Sequence, residues 1–152
     1  MAITKVVCGL IFYNDEVLIC RRKPEKSLGG YWEFPGGKVE DGENYFEALE
    51  REIKEELDFE IIVDDYYSTV VHEYEKNNTI ELISFLCRGT KRELQSTDHD
   101  QIEWVKYTEL LNWGLAPADI PIAKELIEEF ACIGEEMKKE EDEFNAPFDE
   151  TE

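Results

Sequence analysis

Three carboxylates carry the first chemical signal in this chain. Glu52, Glu55 and Glu56 fall at i, i+3 and i+4, so a helix would stack them side by side. Ionised together they repel one another. A solvated surface face accounts for such a cluster, and so does a bound cation. A hard divalent ion turns the repulsion into ligation, because Mg²⁺ takes oxygen donors, keeps waters and joins carboxylates to substrate phosphates. Arg51 precedes the trio, with Glu47 and Glu55 at i−4 and i+4 to pair with it. Ala48 lies beside Glu52 and Glu55 on the wheel and leaves room for something bulky.

Those acids need a helix to hold them, and the stretch 36–59 supplies one. Phe46, Leu49, Ile53 and Leu57 recur at i, i+3, i+7 and i+11, which makes a single apolar stripe beside the acidic face. Pro35-Gly36-Gly37 turns the backbone toward that helix. Without a Cβ, glycine brings its carbonyl close to a cation. Glu43 stands near the helix start, where the dipole favours a carboxylate.

The rest of the chain reads as strands and a second helical segment. Residues 3–12 are β-branched-rich and apolar on both sides, as in a buried strand. Asn14-Asp15 makes a turn, and residues 16–20 return as a hairpin arm. In 31–37, Trp32 and Phe34 alternate with polar neighbours; core packing and contact with a base are both open to them. Residues 60–72 and 79–88 read as strands around a turn at 76–78. His72 reads as packing or surface. Residues 89–100 form a polar loop ahead of an apolar strand start at 102–105. Thr108 is expected to N-cap a short helical turn. In 115–131, Pro121 suits a first helical turn, with Ile122, Leu126, Ile127 and Phe130 as its apolar face. Asp119, just ahead, reads as a capping residue.

With 152 residues, one domain with a real core is expected. A hydrophobic content of 42% argues against disorder. The net charge of −21 argues against polymeric nucleic acid and anionic membranes as partners. A polyphosphate would meet the same repulsion unless a metal ion neutralised it locally. Cys8, Cys20, Cys87 and Cys132 lie in apolar contexts without metal-type spacing, which suits buried free thiols in a reducing compartment. No secretory leader and no membrane-length apolar run is seen, so a cytoplasmic location is expected. A homodimer is left open, with no interface located. Residues 135–152 form an acidic tail that extends the helix briefly and then frays.

Read from Gly37, the chain follows G-x5-E-x7-R-E-U-x-E-E-x-x-U, with U apolar, through Glu43, Arg51, Glu52, Ile53, Glu55, Glu56 and Phe59. This resembles the signature of the Nudix hydrolases, in particular the MutT-like members. One position departs: Asp58 stands where the family usually has a Gly that caps the helix in the left-handed region. Asp enters that region at modest cost. The resemblance covers roughly residues 1–134 and implies an α/β fold, an α/β/α sandwich around a mixed, partly antiparallel sheet.

The same resemblance implies an enzyme that hydrolyses a nucleoside triphosphate to the monophosphate and pyrophosphate. Mg²⁺, with Mn²⁺ as an alternative, would be held by the Gly36 carbonyl, Glu52, Glu55, Glu56 and Asp98. Asp98 is included because it stands six residues before Trp104, the offset seen for a metal acid in MutT-like proteins. Glu52 would be the general base, and Glu43 would pair with Arg51. Arg22 would hold the nucleotide. Asp119 would read the edge of the base, and His99 is a weaker candidate for proton transfer. The segment LAPADIPI, 115–122, is similar to the CTP pyrophosphohydrolases of that group. An oxidised purine triphosphate such as 8-oxo-dGTP, and CTP or a methylated dCTP, are the competing substrates. A Nudix module that binds a nucleotide without turnover is the reading from another class.

Overall fold

A hairpin that opens like a fork sets the architecture. The computed structural model describes residues 2–90, 93–96 and 99–130. Strands β1 (Ala2–Tyr13) and β2 (Glu16–Arg22) meet at the Asn14-Asp15 turn, with Asn14 in the left-handed region. Their antiparallel pairing is confined to the turn end, at Phe12–Val17 and Tyr13–Glu16. Beyond it the strands part, and the next segment fills the gap. Strand β3 (Trp32–Glu33) pairs with β2 at Cys20 and Arg21. Strand β4 (Gly36–Lys38) pairs with β1 at Val6, Val7 and Cys8. Between them the Pro35 carbonyl accepts from Gly9 N at 2.8 Å.

The sheet is completed on both sides of this fork. Strands β5 (Ile62–Glu75) and β6 (Asn78–Arg88) form a long antiparallel hairpin, and β6 runs parallel to β1 over its whole length. Strand β7 (His99–Lys106) lies antiparallel to β2. The expected mixed sheet is therefore present. Strand β7 begins three residues before the expected 102.

Burial on both faces explains why the middle stretches of β1 and β2, residues 6–12 and 17–20, carry no charged or polar side chain. Val7 and Ile11, with Leu18 and Cys20, face helix α1 (Tyr45–Leu57) and meet its Ala48, Leu49, Ile53 and Leu57. Cys8 and Leu10, with Val17 and Ile19, face the other way and meet Ile122, Ala123 and Leu126 of a second helical segment, residues 120–130. A sheet buried on both faces between two helices is the expected α/β/α sandwich. Burying Leu49, Ile53 and Leu57 contributes about 1.5–3 kcal/mol each, which is what fixes α1 on the sheet.

The helix ends follow local chemistry. Asn44 caps α1, its Oδ1 accepting from Glu47 N at 2.8 Å. Asp58 takes φ 48° and ψ 48° at the C-cap, the left-handed geometry anticipated for it, and donates its N–H to Lys54 O.

Several expectations need correction. Phe46 does not join the buried stripe: it is 47% exposed, with its ring 5.0 Å from that of Phe85 between centroids. Ala48 is fully buried against the sheet, so it leaves no room beside the acids. Thr108 lies inside a 3-10 turn (Tyr107–Asn112) that follows Lys106 and has no side-chain cap. Cys8, Cys20 and Cys87 are buried free thiols as expected. Asp98, Cys132 and the tail 135–152 lie outside the described residues.

Candidate active site

The glycine turn and α1 are locked together. A Cβ on Gly37 would overlap the Glu52 carboxylate, and one on Gly36 would run into the Val7 carbonyl. Gly36 is therefore closed to any side chain by the β1 backbone, whereas a side chain at Gly37 would have to displace the Glu52 carboxylate. Glu52 is held there by Arg51, whose Nη1 lies 3.0 Å from its Oε1. The same Nη1 reaches Glu55 Oε2 at 3.2 Å. Arg51 also grips Glu43 in a two-point pair, Nε to Oε2 at 2.7 Å and Nη2 to Oε1 at 2.9 Å. That guanidinium, with the Glu40 amide, holds the Glu43 carboxyl down at about 2. The anticipated Glu43–Arg51 ion pair is therefore present. Glu47 instead turns to Asn44 Nδ2 at 2.9 Å, leaving the i−4 pairing with Arg51 unmade.

On the other side of the turn lies a cleft of about 330 Å³. Its wall runs from Asp119, Phe34 and Tyr74 to Gly36, Gly37 and Lys38, with Arg22 and Glu33 beside them. The segment 114–116 adds to β3 through two backbone bonds, Trp32 N to Gly114 O at 3.1 Å and Ala116 N to Trp32 O at 2.8 Å. This stitching carries Asp119 to Phe34. The Asp119 carbonyl accepts from Ala123 N and so opens the second helix, but its side chain does not cap it. Instead Oδ2 accepts from Phe34 N at 2.9 Å, and Tyr74 OH accepts from Ala118 N next door. Burial first, and the nearby Glu33 second, push the Asp119 carboxyl up to about 8. Trp32 packs in the core, edge-on to Trp113 at 5.0 Å, and is not among the residues that line the cleft.

Glu33 lies between those aromatics in sequence and on the opposite face in space. It pairs with Cys20, which faces α1. There its Oε1 accepts from Arg22 Nη1 at 2.9 Å and meets His99 Nε2 at 3.2 Å. Arg22 Nε donates to Ser27 O at 2.7 Å, which ties down the loop before β3.

Residues 3–130 match the family model of the NUDIX domain. The chain belongs to the Nudix hydrolase family. It is 35% identical over 122 residues to the CTP pyrophosphohydrolase of Escherichia coli (strain K12), covering 80% of this chain and 90% of that one. It is 38% identical over 81 residues to the 8-oxo-dGTP diphosphatase of Proteus vulgaris, covering 53% of this chain and 71% of that one. Among solved structures, the E. coli ORF135 protein superposes with a TM-score of 0.75 at 33% identity, over 87% of this chain and 94% of that one.

Nudix hydrolases generally use a divalent metal ion. Glu52, beside the turn, and Glu55 and Glu56, further along the same helix, suit one by type, since they offer only oxygen, the donor a hard ion takes. The absent Cβ of Gly37 is the space that lets Glu52 reach the turn carrying the Gly36 carbonyl. Among the described residues, no three acidic, histidine or cysteine side chains converge tightly enough to enclose an ion. Glu52 and Glu55 are instead turned onto Arg51.

Glu33 and Tyr74 were not singled out in the sequence of this Nudix chain. The alternation around Trp32 and Phe34 was the signal for Glu33, because period two puts an acid between two core aromatics on the helix α1 face. Nothing local marked Tyr74, which reaches the cleft only through the long β5–β6 hairpin.

Proposed function

We propose that this chain hydrolyses a nucleoside triphosphate to the monophosphate and pyrophosphate. The base would sit beside Phe34 and Asp119, with the phosphates over the glycine turn. One observation carries this reading: the cleft and the acidic helix share Gly37, which lines the first and receives Glu52 of the second. A hollow sized for a base and a cluster suited to polyphosphate chemistry thus meet at one residue.

Mg²⁺, or Mn²⁺ in its place, held by the Gly36 carbonyl, Glu52, Glu55, Glu56 and Asp98, would neutralise phosphate charge and acidify the attacking water. Glu52 would orient the attacking water and take its proton at the carboxylate. Arg22 and Lys38, both on the cleft wall, supply positive charge toward the phosphates. Arg51 orients Glu52 rather than touching substrate, since its bonds go to Glu43, Glu52, Glu55 and the Lys38 carbonyl. Phe34 offers an apolar wall, and the Asp119 carboxyl can take a hydrogen bond from an exocyclic amine.

An oxidised purine such as 8-oxo-dGTP fits this description, giving a role in cleansing the nucleotide pool. A second reading, CTP or 5-methyl-dCTP, is supported by LAPADIPI at 115–122 and by the E. coli relative named CTP pyrophosphohydrolase. The buried thiols suit a reducing cytoplasm. We assign residues 1–134 to the catalytic domain and 135–152 to a separate acidic tail. The test is phosphate release from 8-oxo-dGTP, dGTP, CTP, dCTP and 5-methyl-dCTP with added pyrophosphatase. Release from at least one, abolished by EDTA, is expected. Release from none would leave a binding module.

A further inference from the structure

The side chains of Ser96, His99, Glu33 and Arg22 form a continuous line that ends on the cleft. His99 is buried, with only 3% of its side chain exposed, although it opens an otherwise polar stretch. Its Nδ1 is 3.0 Å from Ser96 Oγ and its Nε2 is 3.2 Å from Glu33 Oε1. A carboxylate only accepts, so Nε2 donates to Glu33, while Nδ1 and the Ser96 hydroxyl share the second bond. The same Glu33 oxygen takes the Arg22 guanidinium at 2.9 Å.

Backbone geometry aims His99 at this junction. Along the β2–β7 ladder, Arg21 pairs with Gln101 but Arg22 pairs with His99, so Asp100 is an extra residue at a bulge. Without the bulge Asp100 would face Arg22, and His99 would point to the other side of the sheet. Asp100 is drawn out of the ladder by Arg21, two bonds of 2.8 Å each. The bulge thus spends one acid on Arg21 and delivers an imidazole to Glu33.

We propose that His99 is a positioning residue for nucleotide binding, acting through Glu33 to fix the Arg22 guanidinium at the cleft. This rests on the reading of Arg22 as a nucleotide contact. Arg22 has several rotatable bonds and one anchor at Ser27 O. The Glu33 carboxylate supplies the second anchor, and His99 keeps that carboxylate from swinging away. His99 itself touches no substrate.

The test is calorimetric binding of α,β-methylene-dGTP and α,β-methylene-dCTP, with Mg²⁺, to the full chain. His99→Leu and Glu33→Gln are each expected to weaken binding about tenfold, the scale at which supporting residues act. His99→Gln keeps a donor and an acceptor and should bind nearly as the wild type. In an Arg22→Ala background, His99→Leu should add no further loss, because its target is gone. Thermal midpoints separate misfolding from lost binding, and if His99→Leu does not fold, His99→Gln and Glu33→Gln carry the comparison. Unchanged binding by His99→Leu, or a full additional loss on top of Arg22→Ala, would overturn the inference while turnover by the wild type left the proposed activity standing. A wild type that neither binds an analogue nor turns over any triphosphate would remove the proposed activity, and this inference with it.

Discussion

The Glu52 carboxylate rests against Gly37 in the space a Cβ would fill, so the turn and the helix meet through one missing side chain. Gly37→Ala should push Glu52 off the turn without removing its charge. A displacement of that size is expected to lower turnover about 100-fold. Glu52→Gln should keep the fold and also lose most of its turnover, through lost basicity instead of lost position. Rates on the preferred triphosphate, alongside thermal midpoints, check both. A Gly37→Ala enzyme with wild-type turnover would mean that Glu52 needs no contact with the turn.

The Glu43–Arg51 pair predicts how stability responds to acid. Folding lowers the Glu43 carboxyl from 4.5 to about 2, with the Arg51 hydrogen bonds as the main cause. A depressed carboxyl stabilises the fold above its unfolded value and loses that effect as pH falls through the folded value. The gap in melting temperature between wild type and Glu43→Gln should therefore be full above about pH 4.5 and close by about pH 2. Arg51→Lys should show much of the same loss, because an ammonium cannot form the two-point pair. A gap that stays constant from pH 5 to pH 2 would show that the pair contributes nothing.

Much of the fold was legible because local and tertiary preferences agree. Asn14-Asp15 turns, and Leu49, Ile53 and Leu57 bury the face their spacing implies. Phe46 and Ala48 were misread because the helical wheel does not say where the sheet ends. The sheet covers Ala48, while Phe46 overhangs it. The acids of the site were legible as a motif within one helix. Glu33, Tyr74 and the burial of His99 were not, since each depends on pairing between distant strands. A bulge at Asp100 shifts the facing of β7 by one residue, and no periodicity in 99–106 announces it. Asp119 was read as a cap because its carbonyl does begin a helix; its side chain goes to Phe34 N instead, a partner 85 residues away.

Asp119 supplies the last prediction, and its sign is opposite to that of Glu43. Burial, reinforced by Glu33, raises its carboxyl from 3.8 to about 8. The folded chain therefore holds this proton more tightly than the unfolded chain does. Between those two values stability falls as pH rises, by at most about 1.4 kcal/mol per pH unit for a single proton. Above about 8 the folded group is ionised as well, and the slope vanishes. Asp119→Asn carries no proton to lose and keeps an oxygen for the Phe34 N–H. Its stability relative to wild type should rise steadily from pH 4 to pH 8 and then level off. Urea unfolding at intervals across that range checks the slope. A flat difference would mean that Asp119 is ionised throughout. It would then meet the nucleotide only as an acceptor, whereas a protonated carboxyl can also donate to a base.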